Sequence, residues 1–185
     1  MKWIIIALSS IIFFPSCTKD RNLDELQKIT DTINIHNGII KINEFVAKGS
    51  NNINEYGMTS DWFELYNPSS SAINMSNGKW YVSDDLNSPR KYAMPAVTLE
   101  PHGFLVVWCD GMNKFGTQVH SNFALSASGE QIGIFYTTPD QSMMVVDSLT
   151  YPLMTEKAYS YGRLPDGSDN WTYFARPTPG VQNHY

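Results

Sequence analysis

DWFELYNPSSSAINMSNGKWYVSDD, residues 61–85, contains strand and turn signals in alternation, and the rest of the chain can be laid out around it. In its first half, Phe63 and Leu65 face one way and Trp62 and Tyr66 face the other, which is the two-residue period of a half-buried strand. The NPSSS that follows has turn chemistry, because Pro fixes φ while Asn and Ser bond their own backbone. The first half therefore predicts a strand that ends in a turn.

The second half of this stretch predicts two further short strands. Ile73 and Met75 carry a brief alternation, and WYVS at residues 80–83 is rich in residues that favour strands. Asn77-Gly78 lies between them and is the dipeptide most typical of a two-residue hairpin. The stretch is thus predicted to fold as consecutive antiparallel strands.

Similar short segments occupy the rest of the chain, with no amphipathic helix between them. IKINEFVA at residues 40–47 has apolar residues on both faces, as a strand between two layers does. FLVVWC at 104–109 is a continuous apolar run and is predicted to be the central strand, whereas 48–60 is predicted to be an exposed loop. Hairpins are predicted within 121–151 and 159–174, so the pattern indicates an antiparallel sandwich.

This series of segments resembles the lamin tail domain, the immunoglobulin-like module named from the nuclear lamins and also found in many bacterial secreted proteins. The resemblance runs in the family's order over about residues 40–183. It is carried, beyond residues 61–85, by INEF (42–45), FLVVWCDG (104–111), HSNFALSASGEQIGIF (120–135), VVDSLTY (145–151), SYGRLPDG (160–167) and PTPGVQN (177–183). It implies an all-β fold, an immunoglobulin-like antiparallel β-sandwich of the lamin-tail type.

Composition limits the number of domains and the classes of ligand. The 185 residues are 42% hydrophobic and 13% aromatic, which is enough for one well-filled core. The net charge is −5, and removal of residues 1–16, whose only charge is Lys2, makes it one unit more negative. Because nucleic-acid affinity comes largely from Lys and Arg that neutralise phosphates, we expect no nucleic-acid partner.

MKWIIIALSSIIFFPSC, residues 1–17, has the layout of a secretory signal, with one basic residue and a short apolar run. The small residue before Cys17 resembles the lipobox of bacterial lipoproteins, in which the cysteine is diacylglycerylated and becomes the new N-terminus. Phe14 departs from the usual Leu. Several acyl chains form a lasting membrane anchor. The alternative is an uncleaved helix, or a plain secretory signal with an incidental cysteine.

The segment after the signal is polar, lacks aromatic residues and is predicted to be a flexible tether, with one short helix as the alternative. The chain is therefore divided into a signal peptide (1–16), the lipidated Cys17 with its tether (17–39), and a lamin tail domain (40–185). The residue after Cys17 is Thr18. An Asp at this position would resemble an inner-membrane retention signal, and the chain lacks it. This favours the outer membrane within a bacterial cell envelope.

Carboxylates in the family-like segments are the candidates for metal binding or acid–base catalysis. DGSDN at residues 166–170 resembles part of a calcium loop, but Pro177 stands at the twelfth position, where the loop requires Glu. Asp residues in turns usually bond the local backbone instead. No cofactor is predicted, and the one metal hypothesis is Ca²⁺ held by Asp84, Asp85 and Asp110.

Nucleophilic and zinc chemistry have little support in the sequence. Ser128 precedes a glycine without a G-x-S-x-G elbow, and Cys109 ends the most apolar strand, where a cysteine is usually a small buried hydrophobe. The histidines lack partners at metal-ligand spacing, so no zinc site is predicted. The ring of His120, at a family position, is expected to bond a backbone carbonyl and fix its loop.

Aromatic residues are the most informative candidates for ligand binding, because the chain has more of them than the core obviously requires. Of Trp62, Trp80, Trp108 and Trp171, at least two are expected in the core of a sandwich. Trp62 and Tyr66 share one face of their strand, and together with Trp80 they are the candidates for an exposed platform that stacks on sugar rings or a protein partner. The alternative is burial in a second layer or under a loop.

The sequence thus predicts a membrane-anchored extracytoplasmic lipoprotein whose single domain is a non-catalytic binding module for a glycan or a protein. Two alternatives stay open. The first is a hydrolase that uses loop carboxylates, which requires two acids converging in a cleft. The second is a structural envelope protein that self-associates through sheet edges.

Overall fold

A computed structural model describes residue 23 and residues 39–185. Leu23 is helical and exposed, and the predicted signal peptide, Cys17 and the rest of the tether before Ile39 lie outside the described residues. Residues 39–185 contain thirteen strands. In chain order they are β1 (Lys41–Val46), β2 (Asp61–Tyr66), β3 (Ile73–Asn74), β4 (Trp80–Ser83), β5 (Tyr92–Ala93), β6 (Thr98–Leu99), β7 (Phe104–Cys109), β8 (Lys114–Phe115), β9 (Val119–His120), β10 (Glu130–Thr137), β11 (Met143–Tyr151), β12 (Ser160–Arg163) and β13 (Trp171–Phe174).

The strands form two main layers, which confirms the predicted all-β sandwich. One sheet has seven strands in the order β13-β12-β1-β2-β7-β9-β8, and the other has four in the order β11-β10-β4-β5. Strands β3 and β6 form a separate two-stranded pair. Strands β7 and β9 pair in parallel, and the neighbours in the rest of these sheets pair antiparallel. The middle strand of the seven-stranded sheet is β2, and the predicted central strand β7 lies beside it, an interior strand whose first three residues are only partly buried.

The core lies between the two sheets and follows the alternation of the strands. Phe63 and Leu65 of β2 enter it, as does Phe45 of the neighbouring β1. Ile132 and Ile134 of β10 contribute from the four-stranded sheet, and all five side chains are fully buried. Burial of this apolar surface is the main stabilising contribution to the sandwich.

The loop of residues 48–60, which we call the covering loop, is exposed over much of its length, as predicted, but part of it folds over the outer face of the seven-stranded sheet. Ser50 and Asn54 are buried, and Ile53 and Thr59 form an isolated bridge within the loop. The amide oxygen of Asn54 accepts hydrogen bonds from the backbone of the loop itself. The loop takes this path because Trp62 on the outer face supplies it with apolar surface and a hydrogen-bond donor.

The C-terminal segment closes the same outer face further along. The backbone N of Thr178 donates to a carboxylate oxygen of Glu44 over 3.1 Å, and the backbone N of Gly180 donates to Glu64. Asn183 donates to the carbonyl oxygen of Arg163 over 2.8 Å. These bonds tie residues near the end of the chain to β1, β2 and β12.

The turn at Asn77-Gly78 does not form the predicted hairpin. Gly78 has a φ of 68°, which suits a tight turn. However, β3 before the turn pairs with β6, while β4 after it pairs with β10 and β5. The local turn signal is correct, but the strands that it joins belong to different sheets.

Among the residues that the structure describes, no helix has the length and apolar character needed to cross a membrane.

Candidate functional site

Trp62 is buried, so the predicted platform is wrong at its main residue. Its side chain is 0% exposed and packs with Val46 and Trp108 on the outer face of the seven-stranded sheet. The indole Nε1 donates to the hydroxyl of Ser50 over 3.1 Å and faces the side-chain oxygen of Asn52 at 3.3 Å. The covering loop thus removes Trp62 from the surface and satisfies its polar atom.

The other two predicted platform residues do not complete a shared surface. Trp80 is 3% exposed and packs edge-on against Tyr136, with ring centroids 4.9 Å apart. Tyr66 is half-buried and stacks on Phe104 at 4.9 Å, close to the turn that contains Gly167. Because Trp80 belongs to the four-stranded sheet and Tyr66 to the seven-stranded one, the structure does not bring them together.

The three acids predicted to hold Ca²⁺ have separate local partners. Asp84 pairs with Lys91, and Asp85 accepts hydrogen bonds from Asn87 and the Ser88 hydroxyl, which lower the pKa of Asp85. Asp110 contacts a histidine, described below. Across residue 23 and residues 39–185, no three or more His, Cys, Asp and Glu side chains form a group suited to a metal ion. The predicted Ca²⁺ ligands are therefore not assembled into one site.

Aromatic rings that reach the surface lie on the hairpin of β12 and β13. Tyr161 stacks on Trp171 with centroids 5.2 Å apart and contacts Tyr173, its cross-strand partner, at 4.6 Å. Phe45 of the core meets Tyr161 edge-on at 6.0 Å, and the guanidinium of Arg163 lies 4.7 Å from the Trp171 ring. The rings form a ladder that extends from the core to Tyr173, which is 46% exposed.

A groove of about 440 Å³ begins at this ladder, and we call it the β13 groove. It is lined by Tyr159, Tyr173, Phe174, Ala175, Arg176, His184 and Tyr185. Phe174 is buried and supports the ring of Tyr185 at a centroid distance of 5.8 Å. Tyr185 is 87% exposed. The β13 groove therefore combines aromatic faces with the donors of an arginine, a histidine and tyrosine hydroxyls.

A second cluster contains His120, which does not bond a backbone carbonyl as predicted. Its Nδ1 lies 2.6 Å from Oδ2 of Asp110, and its Nε2 lies 3.5 Å from Oε1 of Glu55. The ring is fully buried. The ring of Tyr56 covers it at a centroid distance of 5.1 Å. Glu55 and Tyr56 come from the covering loop, so a distant part of the chain completes this cluster.

Two buried glutamates lie under the C-terminal segment. Glu44 and Glu64 are cross-strand neighbours on β1 and β2, and both are 0% exposed. Burial raises the pKa of Glu44, and it raises the pKa of Glu64 to about 8 against the opposing effect of hydrogen bonds from Gly180 and Asn43. These side chains hold the segment in place and do not line the β13 groove.

Cys109 is a buried thiol with no features of a nucleophile. It is 2% exposed and belongs to the core, which confirms the prediction of a small buried hydrophobe. Burial raises its pKa well above the ordinary value, against the effect of a hydrogen bond from Ser121. A thiol in this setting stays protonated at neutral pH and is unreactive.

Sequence reasoning missed both the β13 groove and the Glu55 contact. The alternation in SYGR and WTYF places Tyr161, Trp171 and Tyr173 on one face once the hairpin register is known. A correct prediction of the β12–β13 register would therefore have predicted the ladder. Glu55 lies in a loop without periodicity, so no local pattern indicated its position.

Two antiparallel-rich sheets around one core define the class of protein, an immunoglobulin-like β-sandwich. The family model of the Lamin Tail Domain matches residues 35–152, so the chain belongs to the lamin tail domain family. This is a family of non-enzymatic domains. A comparison with curated proteins found no match. Strands β12 and β13 and the β13 groove lie beyond the matched residues.

Proposed function

We propose that this chain is a saccharide-binding module and that the β13 groove is its binding site. The observation that carries the proposal is the grouping of exposed Tyr173 and Tyr185 with Arg176 and His184 in one groove of about 440 Å³. Aromatic faces and fixed hydrogen-bond donors are the two features that a sugar ring requires, since its C–H faces are apolar and its hydroxyls are polar.

Each side chain has a separate role in this proposal. Tyr173 and Tyr185 offer ring faces for stacking, and the packing of Tyr173 on Tyr161 limits the motion that binding would have to suppress. Arg176 and His184 donate hydrogen bonds to hydroxyl or carboxylate oxygens of the ligand. The ladder from Phe45 to Tyr173 anchors the Tyr173 side of the groove in the core.

The size of the β13 groove favours a saccharide over a protein partner. Small-ligand sites typically enclose about 300 to 1,000 Å³, and about 440 Å³ falls in that range. A standard protein interface instead buries about 800 Å² on each partner and is centred on a larger apolar surface. Binding of a short glycan is therefore the form of the binding function that we propose.

The proposal includes retention at the membrane of a bacterial envelope. It rests on the signal-like residues 1–16 and the lipobox-like ending at Cys17. Acylation of Cys17 would display the domain on its tether outside the cytoplasm. Incorporation of a labelled fatty acid in bacterial cells, lost in Cys17→Ser, tests this part separately from ligand binding.

The binding proposal is tested by applying the purified full chain in detergent to a glycan array and measuring affinity for the hits by calorimetry. Tyr173→Ala and Tyr185→Ala are each expected to weaken binding by about two- to twelvefold, since an aromatic stack contributes about 0.5 to 1.5 kcal/mol. The matched control is Phe115→Ala, because Phe115 is 49% exposed on β8 at the opposite edge of the same sheet.

Either of two results would overturn the proposal. One is an array without hits for a correctly folded chain. The other is equal loss of affinity in the β13-groove variants and in Phe115→Ala. Near-ultraviolet circular dichroism of each variant separates loss of binding from loss of folding.

A further inference from the structure

Two buried side-chain atoms that can accept hydrogen bonds face each other in the His120 cluster. His120 Nε2 and Glu55 Oε1 are 3.5 Å apart, both atoms are buried, and each lacks a hydrogen-bond partner. Of the side-chain N and O atoms that the structure describes, two indole nitrogens share this condition, at Trp80 and Trp108. The pair at His120 differs because its two atoms point at one another.

The protonation of the ring follows from its other nitrogen. Nδ1 lies 2.6 Å from the carboxylate of Asp110, which can only accept, so Nδ1 carries the hydrogen. In a neutral imidazole, Nε2 then presents a lone pair toward Glu55. Two electron-rich atoms in a buried position require a positive species between them.

The distance between the two acceptors discriminates among candidates for that species. A direct N–H···O hydrogen bond spans about 2.7 to 3.2 Å, so 3.5 Å is too long. A water that donates to both atoms would hold them about 4.4 Å apart, given hydrogen bonds of about 2.8 Å. A tetrahedral ion with ligand bonds of about 2.0 to 2.2 Å separates its ligand atoms by about 3.4 Å, which agrees with the structure.

Both candidate ligands are held in place by outer contacts, as metal ligands commonly are. Asp110 fixes the ring of His120, and the backbone N of Met112 in turn donates to Asp110 over 3.1 Å. The second oxygen of Glu55 accepts from the backbone N of Thr117 over 2.8 Å and from the Thr117 hydroxyl. The backbone N of Glu55 itself donates to the side chain of Gln118 over 2.9 Å.

Glu55 lies near the surface of the domain. Its side chain is 15% exposed, although its Oε1 atom is itself buried.

Gly116 leaves the space that the carboxylate occupies. A Cβ atom at this position would lie 2.3 Å from Glu55 Oε1 and 3.2 Å from the hydroxyl of Tyr56. Glu55 Oε1 and the Tyr56 hydroxyl thus lie on the same side of Gly116. The cluster thus offers one nitrogen and one carboxylate ligand from the protein, with Asp110 behind the nitrogen.

We propose that His120 Nε2 and the Glu55 carboxylate bind a divalent transition-metal ion of the Zn²⁺ type. The imidazole ligand selects such ions over Ca²⁺, which takes oxygen ligands. With two protein ligands and the remaining positions filled by water, the ion exchanges readily. The bound ion joins the covering loop to β9 and so stabilises the loop over Trp62.

The test is a calorimetric titration of the full chain in detergent with Zn²⁺, and with Ca²⁺ as the comparison. We expect one Zn²⁺ site per chain that is absent in Glu55→Gln and weakened about 10- to 100-fold in Asp110→Asn, the effect typical of an outer-shell carboxylate. Glu156→Gln is the matched control, because Glu156 is exposed and remote in sequence from the cluster. It is expected to bind as the unaltered chain does.

A second variant keeps the test decisive should Glu55→Gln fold poorly. Gly116→Ala retains all ligands but places a methyl group 2.3 Å from Oε1, which displaces the carboxylate, so it is expected to abolish Zn²⁺ binding. In the unaltered chain, Zn²⁺ should shift the ¹⁵N resonance of His120 Nε2 and leave that of Nδ1 nearly in place.

Three results would overturn the proposal. The first is the absence of Zn²⁺ binding by the folded, unaltered chain. The second is Zn²⁺ binding that persists unchanged in both Glu55→Gln and Gly116→Ala, which would assign it to other histidines. The third is stabilisation by acid alone with no shift of Nε2 on Zn²⁺ addition, which would show that a proton joins the pair.

Discussion

Glu44 and Glu64 stand opposite each other on neighbouring strands, fully buried beneath the C-terminal segment. Ser160 and Thr178 donate to Glu44, and Asn43 and Gly180 donate to Glu64. Ionising two neighbouring carboxylates that are both shielded from water costs free energy, because the charges repel each other and lose their hydration. The segment that covers them is therefore coupled to their protonation.

Stability is expected to fall as the pH rises from about 4.5 to about 8. Folded Glu64 keeps its proton up to about pH 8, whereas in the unfolded chain it loses it near 4.5, so folding is favoured most below 4.5. The raised pKa of Glu44 acts in the same direction. Denaturant unfolding should show a difference of a few kcal/mol across this interval, at about 1.4 kcal/mol per pKa unit.

Glu64→Gln removes the group that titrates in this range, so its stability should change much less between pH 5 and 8. The control is Glu100→Gln, which alters an exposed acid and should retain the pH dependence of the unaltered chain. An unchanged pH profile in Glu64→Gln would show that Glu64 does not carry the effect.

Trp62→Ala is expected to reduce the free energy of unfolding by about 3 to 5 kcal/mol, the usual cost of removing a buried tryptophan. It also leaves the covering loop without its apolar contact. Trp62→Phe keeps most of the packing and loses the hydrogen bond to Ser50, so its cost should be smaller. Urea unfolding at fixed pH compares the two variants. Equal, negligible losses would mean that the loop does not depend on Trp62.

Arg163→Lys is expected to destabilise the fold by about 2 to 3 kcal/mol. The guanidinium donates to the carbonyl oxygen of Ile42 over 2.8 Å and to Asp147 over 3.1 Å, and it stacks on Trp171. A lysine cannot make these contacts together. Arg176→Lys, at an exposed position, serves as the control and should change thermal stability by less than about 0.5 kcal/mol.

Cys109 should resist alkylation by iodoacetamide in the native chain and react after denaturation. The thiol is buried, and burial raises its pKa, so little thiolate is present at neutral pH. Peptide mapping by mass spectrometry distinguishes Cys109 from Cys17. Rapid native labelling at Cys109 would show that the core opens at β7.

The sequence predicted the fold class and the strands with unbroken apolar patterns. Alternation in β2 correctly separated Phe63 and Leu65 from Trp62, because the period of side chains along a strand is a local property. It could not predict what covers each face. Trp62 was a candidate for an exposed platform, with burial under a loop as the alternative, and the preceding loop buries it through contacts from Ser50 and Asn52.

The site residues depended on contacts between distant segments. Asp110 was singled out from the sequence as a Ca²⁺ ligand, but its partner is His120, and Glu55 completes that cluster from the covering loop. Tyr173 lines the β13 groove because of the β12–β13 register and because the C-terminal residues His184 and Tyr185 pack beside it.

The sequence by itself determined that this chain forms a lamin-tail β-sandwich with a buried Cys109, since alternation and apolar runs act within a strand. Tertiary structure alone decided which aromatic rings reach solvent and which carboxylates meet. Those outcomes depend on how loops and the C-terminal segment pack over the outer face, and the free energy of that packing comes from residues far apart in the sequence.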